Sequence, residues 1–313
     1  MTRVLVTGGA GFIGSHVSEQ LLARGDEVTV VDNLSTGKRE NLRDGVRFVE
    51  GDLAHDGVAT RAMEGCEKVV HCAASASVTR SVEDPIASNE ANLQGSARLI
   101  LAARDAGVRR MVYSSSSAAY GGTVEGAAVE SLREAPMSPY GMNKLAAEQL
   151  FRMAPELYSV DTVCLRYFNV FGPRQDPSSP YSGVISILVS KALLGEAPTI
   201  HGDGEQSRDF TYVGDVVAAN LAALDCERGG GAVLNVGRGD SISLNQLWDA
   251  VRTACGVPDL QAEHGPARAG DIRHSRADAS KLAEVLGVRA GVSLEDGLAA
   301  TVAWYRSSLS TRA

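Results

Sequence analysis

Cysteine is scarce in this chain and nowhere paired: Cys66, Cys72, Cys164, Cys226 and Cys255 are scattered, with no Cys-x-x-Cys spacing. That excludes a disulfide framework and leaves free thiols in a reducing compartment as the expectation. His16, His55, His71, His201, His264 and His274 share no ligand spacing, so no metal site is expected. There is no basic arm or Lys/Arg run, and the net charge of −8 argues against a nucleic-acid partner. It leaves room for a local cationic pocket. No apolar run approaches the length of a membrane span, so no membrane association is expected. The first strand is expected from residue 3 with no leader before it, which makes the cytoplasm the default location. Internal repeats and low-complexity segments are also missing. What the chain has is 313 residues, 44% of them hydrophobic and 22% charged, enough for a substantial core in one large or two modest domains.

The most informative stretch is Val4-Leu5-Val6-Thr7-Gly8-Gly9-Ala10-Gly11-Phe12-Ile13-Gly14. A β-branched apolar run, three glycines at three-residue spacing and a helical pattern read as strand, tight turn and helix. Gly8 permits the turn, Gly11 lets backbone approach a pyrophosphate, and Gly14 lets helix and strand pack closely. The helix start would aim N–H groups and positive dipole at the phosphates. A second strand, Glu27-Val28-Thr29-Val30-Val31, ends in Asp32, about twenty residues on, where an acid binds a ribose 2′-OH. Together they predict a dinucleotide site. Asp32 favours NAD over NADP, because a carboxylate repels a 2′-phosphate.

Strand and helix then alternate. Strands are expected at Val46–Glu50, Lys68–Cys72, Arg110–Ser115 and Thr162–Arg166, with a long helix over 86–106 and another from Ser138-Pro139. Such βα units predict an α/β fold, a Rossmann-type doubly wound parallel sheet with ligand at the carboxyl ends of its strands. The rhythm breaks at the turn-rich segment 172–180. Helices are expected over 184–194, 213–224, 244–255, 279–286 and 294–305, a short strand at 198–201, and a buried strand over 232–236 that rejoins the main sheet. The expected division is a nucleotide-binding domain of 1–169 plus about 209–239, and a smaller discontinuous α/β substrate domain of about 170–208 and 240–313.

Chemistry is suggested by Tyr140-x-x-x-Lys144, whose i, i+4 spacing puts both side chains on one helix face. An ammonium beside a phenol favours the phenolate, and a tyrosine so tuned exchanges a proton with a sugar or alcohol hydroxyl. Lys144 is also placed to hydrogen-bond a nicotinamide ribose. The motif occurs by chance on surfaces; its position after a strand ending in Ser114-Ser115-Ser116-Ser117 places hydroxyls at the ligand-bearing edge beside it.

The glycine run, Ser115–Gly121, Ser138-Pro139-Tyr140-Gly141-Met142-Asn143-Lys144 and Leu165-Arg166-Tyr167-Phe168-Asn169-Val170-Phe171-Gly172 resemble the extended short-chain dehydrogenase/reductase family, in its nucleotide-sugar branch, and most closely the UDP-hexose 4-epimerases. The resemblance implies NAD as cofactor, a UDP-sugar substrate, and a homodimer paired through the 86–106 and Tyr140 helices. It implies that Tyr140 is the catalytic base and acid, Ser116 its partner at the sugar 4-OH, and Lys144 the group that tunes Tyr140. Phe12 and Ile13 join the glycines, Asn33 joins Asp32, and Asp52 and Leu53 hold the adenine. Ala73, Ala74, Asn92, Ser114 and Tyr167 line the rest of the cofactor path. On the substrate side stand Ser117, Val184 and His201, with Asn169 and Arg208 on the diphosphate, Arg268 as a second phosphate arginine, and Asp271 on the uridine ribose. Guanidinium suits that role through bidentate pairing.

Within the branch, 4,6-dehydratases carry an acidic pair directly after the catalytic Thr/Ser position; here that pair is Ser117-Ala118, which removes the proton donor for elimination. In epimerases a position just past the Arg/Asp pair gates the sugar's C2 side. It falls on Ser275, small enough to admit an N-acetyl group. The reading is a 4-epimerase of UDP-glucose/UDP-galactose, with N-acetylated forms open. UDP-glucuronate 4-epimerase stays as an alternative, since Arg174 or Arg273 is available for a C6 carboxylate, as, less favoured, do another nucleotide-sugar dehydratase or decarboxylase and a non-catalytic NAD-sensing scaffold.

Overall fold

The computed structural model describes residues 1–122, 124–177, 183–267 and 271–310. Six strands follow one another in the first half: β1 (Arg3–Thr7), β2 (Glu27–Asp32), β3 (Arg47–Glu50), β4 (Lys68–His71), β5 (Arg110–Ser116) and β6 (Asp161–Tyr167). With the Ala232–Val236 strand they form one parallel sheet in the order Ala232–Val236, β6, β5, β4, β1, β2, β3. The order reverses direction at β1 and β4, and a crevice opens at the carboxyl ends of strands at such a point.

Burial explains why these strands read as unbroken apolar runs. In β1 the Leu5 side chain enters one core and Val4 and Val6 the other, on the opposite face. Helices cover both faces, so neither needs polar residues. One core takes Leu99, Phe151 and Ala154 from helices; the other takes Val17 and Leu21 of α1 (Phe12–Ala23) and Val216 and Ala223 of Val213–Asp225.

The long helix expected over 86–106 is composite. Val78–Glu83 stands apart; Pro85–Asn89 begins with proline in its first turn and Asp84 accepting from Ala87 N at 2.9 Å; a π turn spans Glu90–Gln94; and Gly95–Asp105 completes it. The π turn inserts one residue per turn and rotates Asn92 towards the Ala73–Ser77 loop, a local device that apolar periodicity does not reveal.

Beyond β6 a third core forms around Phe171, Ile185, Val189, Trp248, Leu298 and Val302. It is framed by the helices Val184–Leu194, Leu244–Cys255 and Leu294–Ser310. Ser243 and Gln246 make a reciprocal capping box that starts the second of these. Three small two-stranded ladders edge this core: Asn169–Phe171 with Phe210–Tyr212, Ser207–Arg208 with Ile242–Ser243, and Thr199–His201 with Glu263–Gly265. Within 240–313, the Ser280–Leu286 helix packs Leu282 into the large sheet's own core.

Candidate active site

A cleft of about 1260 Å³ lies over the carboxyl ends of the strands, floored by the glycine loop and walled by the Cys72–Ser77 loop after β4, the end of β5 and residues from the third core. Gly8 has φ +66, and its N–H donates to Val31 O at 2.8 Å. A Cβ at Gly8 would stand 2.7 Å from Ala73 N, and one at Gly14 would stand 2.3 Å from Gly8 O. Backbone therefore occupies the space that any side chain needs. Gly11 is the N-cap of α1 and offers no side-chain cap, so the first-turn N–H groups face the cleft unmasked. This cradle fits a dinucleotide pyrophosphate.

Asp32 ends β2 on the cleft wall. Its oxygens accept from Ala10 N at 3.0 Å and Leu34 N at 2.8 Å, and burial pushes its carboxyl upward. The loop thus orients the acid that would meet a ribose. Further along, Asn33 donates to Asp52 at 2.7 Å, and Leu53 is buried beside them on the cleft wall. Phe12, Ile13, Ala73 and Ala74 also line it. Thr7 joins the two loops: its hydroxyl accepts from Ala73 N at 3.1 Å and bonds the buried His71 Nδ1 at 2.6 Å.

Two expected cofactor contacts stand behind the wall instead. Asn92 is buried and brackets Ser75, accepting from its N–H at 2.8 Å and donating to its O at 3.2 Å. Ser114 bonds Cys72 Sγ at 3.3 Å and the Tyr167 hydroxyl at 3.1 Å. Both hold lining residues in place. Tyr167 does line the cleft, with its hydroxyl 3.0 Å from Asn220 Oδ1.

Ser116 and Tyr140 meet at the sheet edge. The Tyr140 helix, Pro139–Tyr158, is capped by Ser138, and Tyr140 N donates to Ser81 Oγ at 3.0 Å. A Cβ at Gly141 would lie 2.7 Å from Ala118 O, so this helix packs close against the end of β5. The Tyr140 phenol and the Ser116 hydroxyl lie close enough for Ser116 to lower the phenol, and both residues line the cleft. Lys144 is buried, with its Nζ 4.4 Å from the Tyr113 ring centroid. Burial pulls the ammonium down to about 8, against the opposing pull of Cys72, Glu148 and Cys164.

The expected tuning of Tyr140 by Lys144 does not appear in this arrangement. The Tyr140 phenol is raised, chiefly by burial, with only the Ser116 hydroxyl acting the other way. Sharing a helix face does not oblige two side chains to touch: Tyr140 leans to Ser116 and Lys144 to Tyr113. Lys144 accordingly stands behind the wall. Ser117 opens a 3₁₀ turn off the lining, a turn capped by Ser116 Oγ accepting from Ala118 N at 3.1 Å.

The expected substrate residues divide into two groups. Asn169 and Arg174 line the cleft. Asn169 donates to Asp209 O at 3.2 Å; Arg174, at φ +65, pairs with Glu19 and donates to Ser15 Oγ at 3.3 Å, so its guanidinium is committed to α1. Val184, His201, Arg208, Asp271 and Ser275 do not line it. Four of these gather on one neighbouring patch around Ser207: Arg208 pairs with Asp271 at 2.5 Å, Ser275 N donates to Ser207 O at 3.1 Å, and Gln206 Nε2 reaches His201 O at 2.7 Å. Ser275 therefore stands off the wall it was expected to gate, because β-bridge pairing at Ser207 ties its backbone to the Ser207–Arg208 strand. Arg268 lies outside the described residues.

Sequence reasoning missed three wall elements. Lys38 pairs with Asp176 at 2.6 Å, and both line the cleft. Arg80 lines it from the Val78–Glu83 helix, and Trp304 and Tyr305 from the C-terminal helix. The Tyr305 hydroxyl donates to Gln175 O. Asp176 lies in the turn-rich segment 172–180 where the βα rhythm breaks; the aromatics arrive from far along the chain. Among the described residues no group of His, Cys, Asp and Glu is arranged to hold a metal, and no helix is long and apolar enough to cross a membrane.

The same architecture recurs in proteins of known name. The UDP-glucose 4-epimerase of Mycolicibacterium smegmatis is 40% identical over 312 residues, covering 97% of this chain and 99% of that one. The crystal structure of UDP-glucose 4-epimerase from Thermotoga maritima with UDP-glucose superposes with a TM-score of 0.94 at 40% identity, over 98% of this chain and 100% of that one. The UDP-N-acetylglucosamine 4-epimerase of Methanobrevibacter ruminantium, in complex with UDP-N-acetylmuramic acid, gives 0.93 at 38%, over 98% and 99%. Residues 4–237 match the family described as NAD dependent epimerase/dehydratase, and with a parallel sheet, a side-chain-free pyrophosphate cradle and a terminal acid on β2 to match, the chain belongs to that family.

Proposed function

We propose that this chain is an NAD-dependent UDP-sugar 4-epimerase that inverts C4 of UDP-glucose/UDP-galactose. The carrying observation is the Ser116–Tyr140 hydroxyl pair at the carboxyl edge of the sheet, facing the cleft that the glycine cradle floors. Bound NAD would supply a reversible hydride acceptor. Gly8, Gly11 and Gly14 hold its pyrophosphate and Asp32 its ribose. Tyr140 takes the 4-OH proton as C4 is oxidised to the ketone, and Ser116 holds that oxygen. The 4-keto sugar then turns, and Tyr140 returns the proton. Tyr140 takes the proton as the phenolate; burial raises the phenol, which favours its carrying that proton until the ketone is reduced. Lys144, one turn along the helix, does not shift the Tyr140 phenol in this arrangement and braces the site from behind against Tyr113.

Two observations sort the alternatives. Arg174 is paired with Glu19 and Arg273 with Asp203, so both cations considered for a C6 carboxylate already meet a carboxylate. The wall carries the carboxylates of Asp32, Glu40, Asp52, Asp84, Glu90 and Asp176 against the cations of Lys38, Arg80 and Arg174, an acidic balance that disfavours a hexuronate. Ser117-Ala118 offers no acid for dehydration.

The two units work as a nucleotide-binding domain of 1–169 with 209–239 and a UDP-sugar domain of 170–208 with 240–313. The Ser207 patch, with Arg208 and Asp271, serves the nucleotide end. A second copy packs against the helices that expose Val78, Val82 and Ile86 on one side and Met142, Met153 and Leu157 on the other. Five free cysteines among the described residues suit the cytoplasm.

The test is one batch of purified protein assayed on UDP-glucose, UDP-N-acetylglucosamine and UDP-glucuronate with product separation. The expected result is C4 inversion of UDP-glucose without net NADH. Absence of isomerisation on every sugar, or NADH accumulating stoichiometrically with turnover, refutes the proposal.

A further inference from the structure

Beneath the reacting edge of the sheet lies a charge pair that the mechanism above does not use. Glu148 and Arg166 are both fully buried. Arg166 donates to Glu148 through Nε at 2.8 Å and Nη2 at 2.6 Å, and Nη2 also reaches Glu134 at 2.7 Å. Its guanidinium carbon stands 4.7 Å from the Tyr120 ring centroid. The Glu148 carboxylate further accepts from Ser115 Oγ at 2.7 Å. A buried ion pair is a poor way to gain stability, since desolvation consumes most of the attraction. It is a good way to specify geometry.

The geometry in question is the site's. Glu148 lies on the Tyr140 helix, four residues past Lys144 and eight past Tyr140, on their face. Arg166 is the β6 residue in register with Ser115, which directly precedes Ser116. The pair therefore ties the helix bearing Tyr140 and Lys144 to the strand bearing Ser116, at the level of the reacting hydroxyls. We propose that Glu148 and Arg166 are positioning residues for the Ser116–Tyr140–Lys144 site. This rests on the reading of those three residues as the reacting constellation.

The charged surroundings of Lys144 agree. Tyr113 faces it from β5, His71 from the end of β4 and Cys72 just beyond it, Cys164 from β6, and Glu148 from its own helix. Glu148 is the carboxylate among these, and it acts against the burial that pulls Lys144 down to about 8. Removing the carboxylate leaves Arg166 less compensated as well, and both changes push the lysine the same way, towards neutral amine.

The experiment compares wild type, Glu148→Gln, Glu148→Asp and Ser115→Ala as full-length protein with its bound NAD. Glu148→Gln is expected to keep far-UV dichroism, NAD content and KM for UDP-glucose, to lose about tenfold or more in kcat, and to move the alkaline limb of the kcat profile to lower pH. Glu148→Asp should recover part of both effects. If Glu148→Gln does not fold, Ser115→Ala decides: it cuts one tie without altering charge, and a fall in kcat at constant KM is expected. An unmoved alkaline limb with wild-type kcat in folded Glu148→Gln overturns the proposal, as does wild-type kcat in Ser115→Ala when that variant decides. Full activity of Tyr140→Phe would instead refute the underlying site, a distinct outcome.

Discussion

Replacing Gly14 by alanine probes the cradle with the smallest possible perturbation. In a solvent-exposed helix this change stabilises by roughly 1 kcal/mol, because alanine loses less backbone freedom than glycine. Here the new methyl carbon would sit 2.3 Å from Gly8 O, 2.8 Å from Gly8 C and 2.9 Å from Gly9 Cα. All three are backbone atoms, and no rotamer can move them aside. The carbonyl must retreat by about 0.7 Å in an interior that transmits such shifts. Overpacking of this kind costs roughly 1–3 kcal/mol, which exceeds the propensity gain. The retreating carbonyl also accepts from Gly11 N at 3.1 Å, so the turn's own hydrogen bond is strained and the N–H groups aimed at the pyrophosphate turn with it. Losing one charge-assisted bond is worth roughly 1.5–3 kcal/mol, or about ten- to a hundredfold in NAD retention. Gly291→Ala is the control, since nothing lies within 4 Å of the position its methyl would take and its φ is ordinary. NAD carried through gel filtration, quantified after acid release, is the assay, with urea unfolding alongside. Wild-type NAD content and unchanged stability in Gly14→Ala would refute the close-packing argument.

Other consequences follow from the same geometry. Tyr140→Phe should abolish turnover while NAD stays bound, because the cradle and Asp32 are untouched; near-normal turnover would remove Tyr140 from the chemistry. Ser275→Tyr should leave the ratio of UDP-glucose to UDP-N-acetylglucosamine turnover unchanged, since Ser275 stands off the cleft wall; a selective loss on the N-acetyl sugar would restore it as a gate. His71 is buried, hydrogen-bonded by Thr7 and Ser96, and held down to about 3. The unfolded chain binds its proton near pH 6.5 and the folded one does not. Its contribution to stability is therefore complete above that pH and falls by about 1.4 kcal/mol per unit down to pH 3. An NMR titration placing the His71 ring near 6.5 in the folded protein would disprove this.

The resident elements of the large sheet were legible in sequence because its central strands are buried on both faces and each βα turn is local. The glycine spacing and Asp32 depend on residues within one such unit, and the tight turn and strand end that they mark are both present. Asn92, Ser114 and Lys144 were assigned to the cleft and stand behind it, for a reason the linear pattern does not contain. A π turn rotates Asn92, Tyr167 covers Ser114, and the Tyr113 ring draws Lys144 inward. The composite helix over 85–105 was similarly hidden, since an inserted residue leaves apolar periodicity nearly intact.

By itself, then, the amino-acid order determined the parallel α/β sheet, the pyrophosphate cradle and the presence of a serine and a tyrosine at its reacting edge, since each is a short-range pattern of size, polarity and backbone freedom. Tertiary structure alone decided which side chains face the cleft and which brace it from behind. It joined Lys38 to Asp176 and brought Trp304 and Tyr305 from the last helix to the wall. It also set Glu148 and Arg166 together beneath Ser115. Those partners are distant in the chain, and only packing around a shared core makes them neighbours.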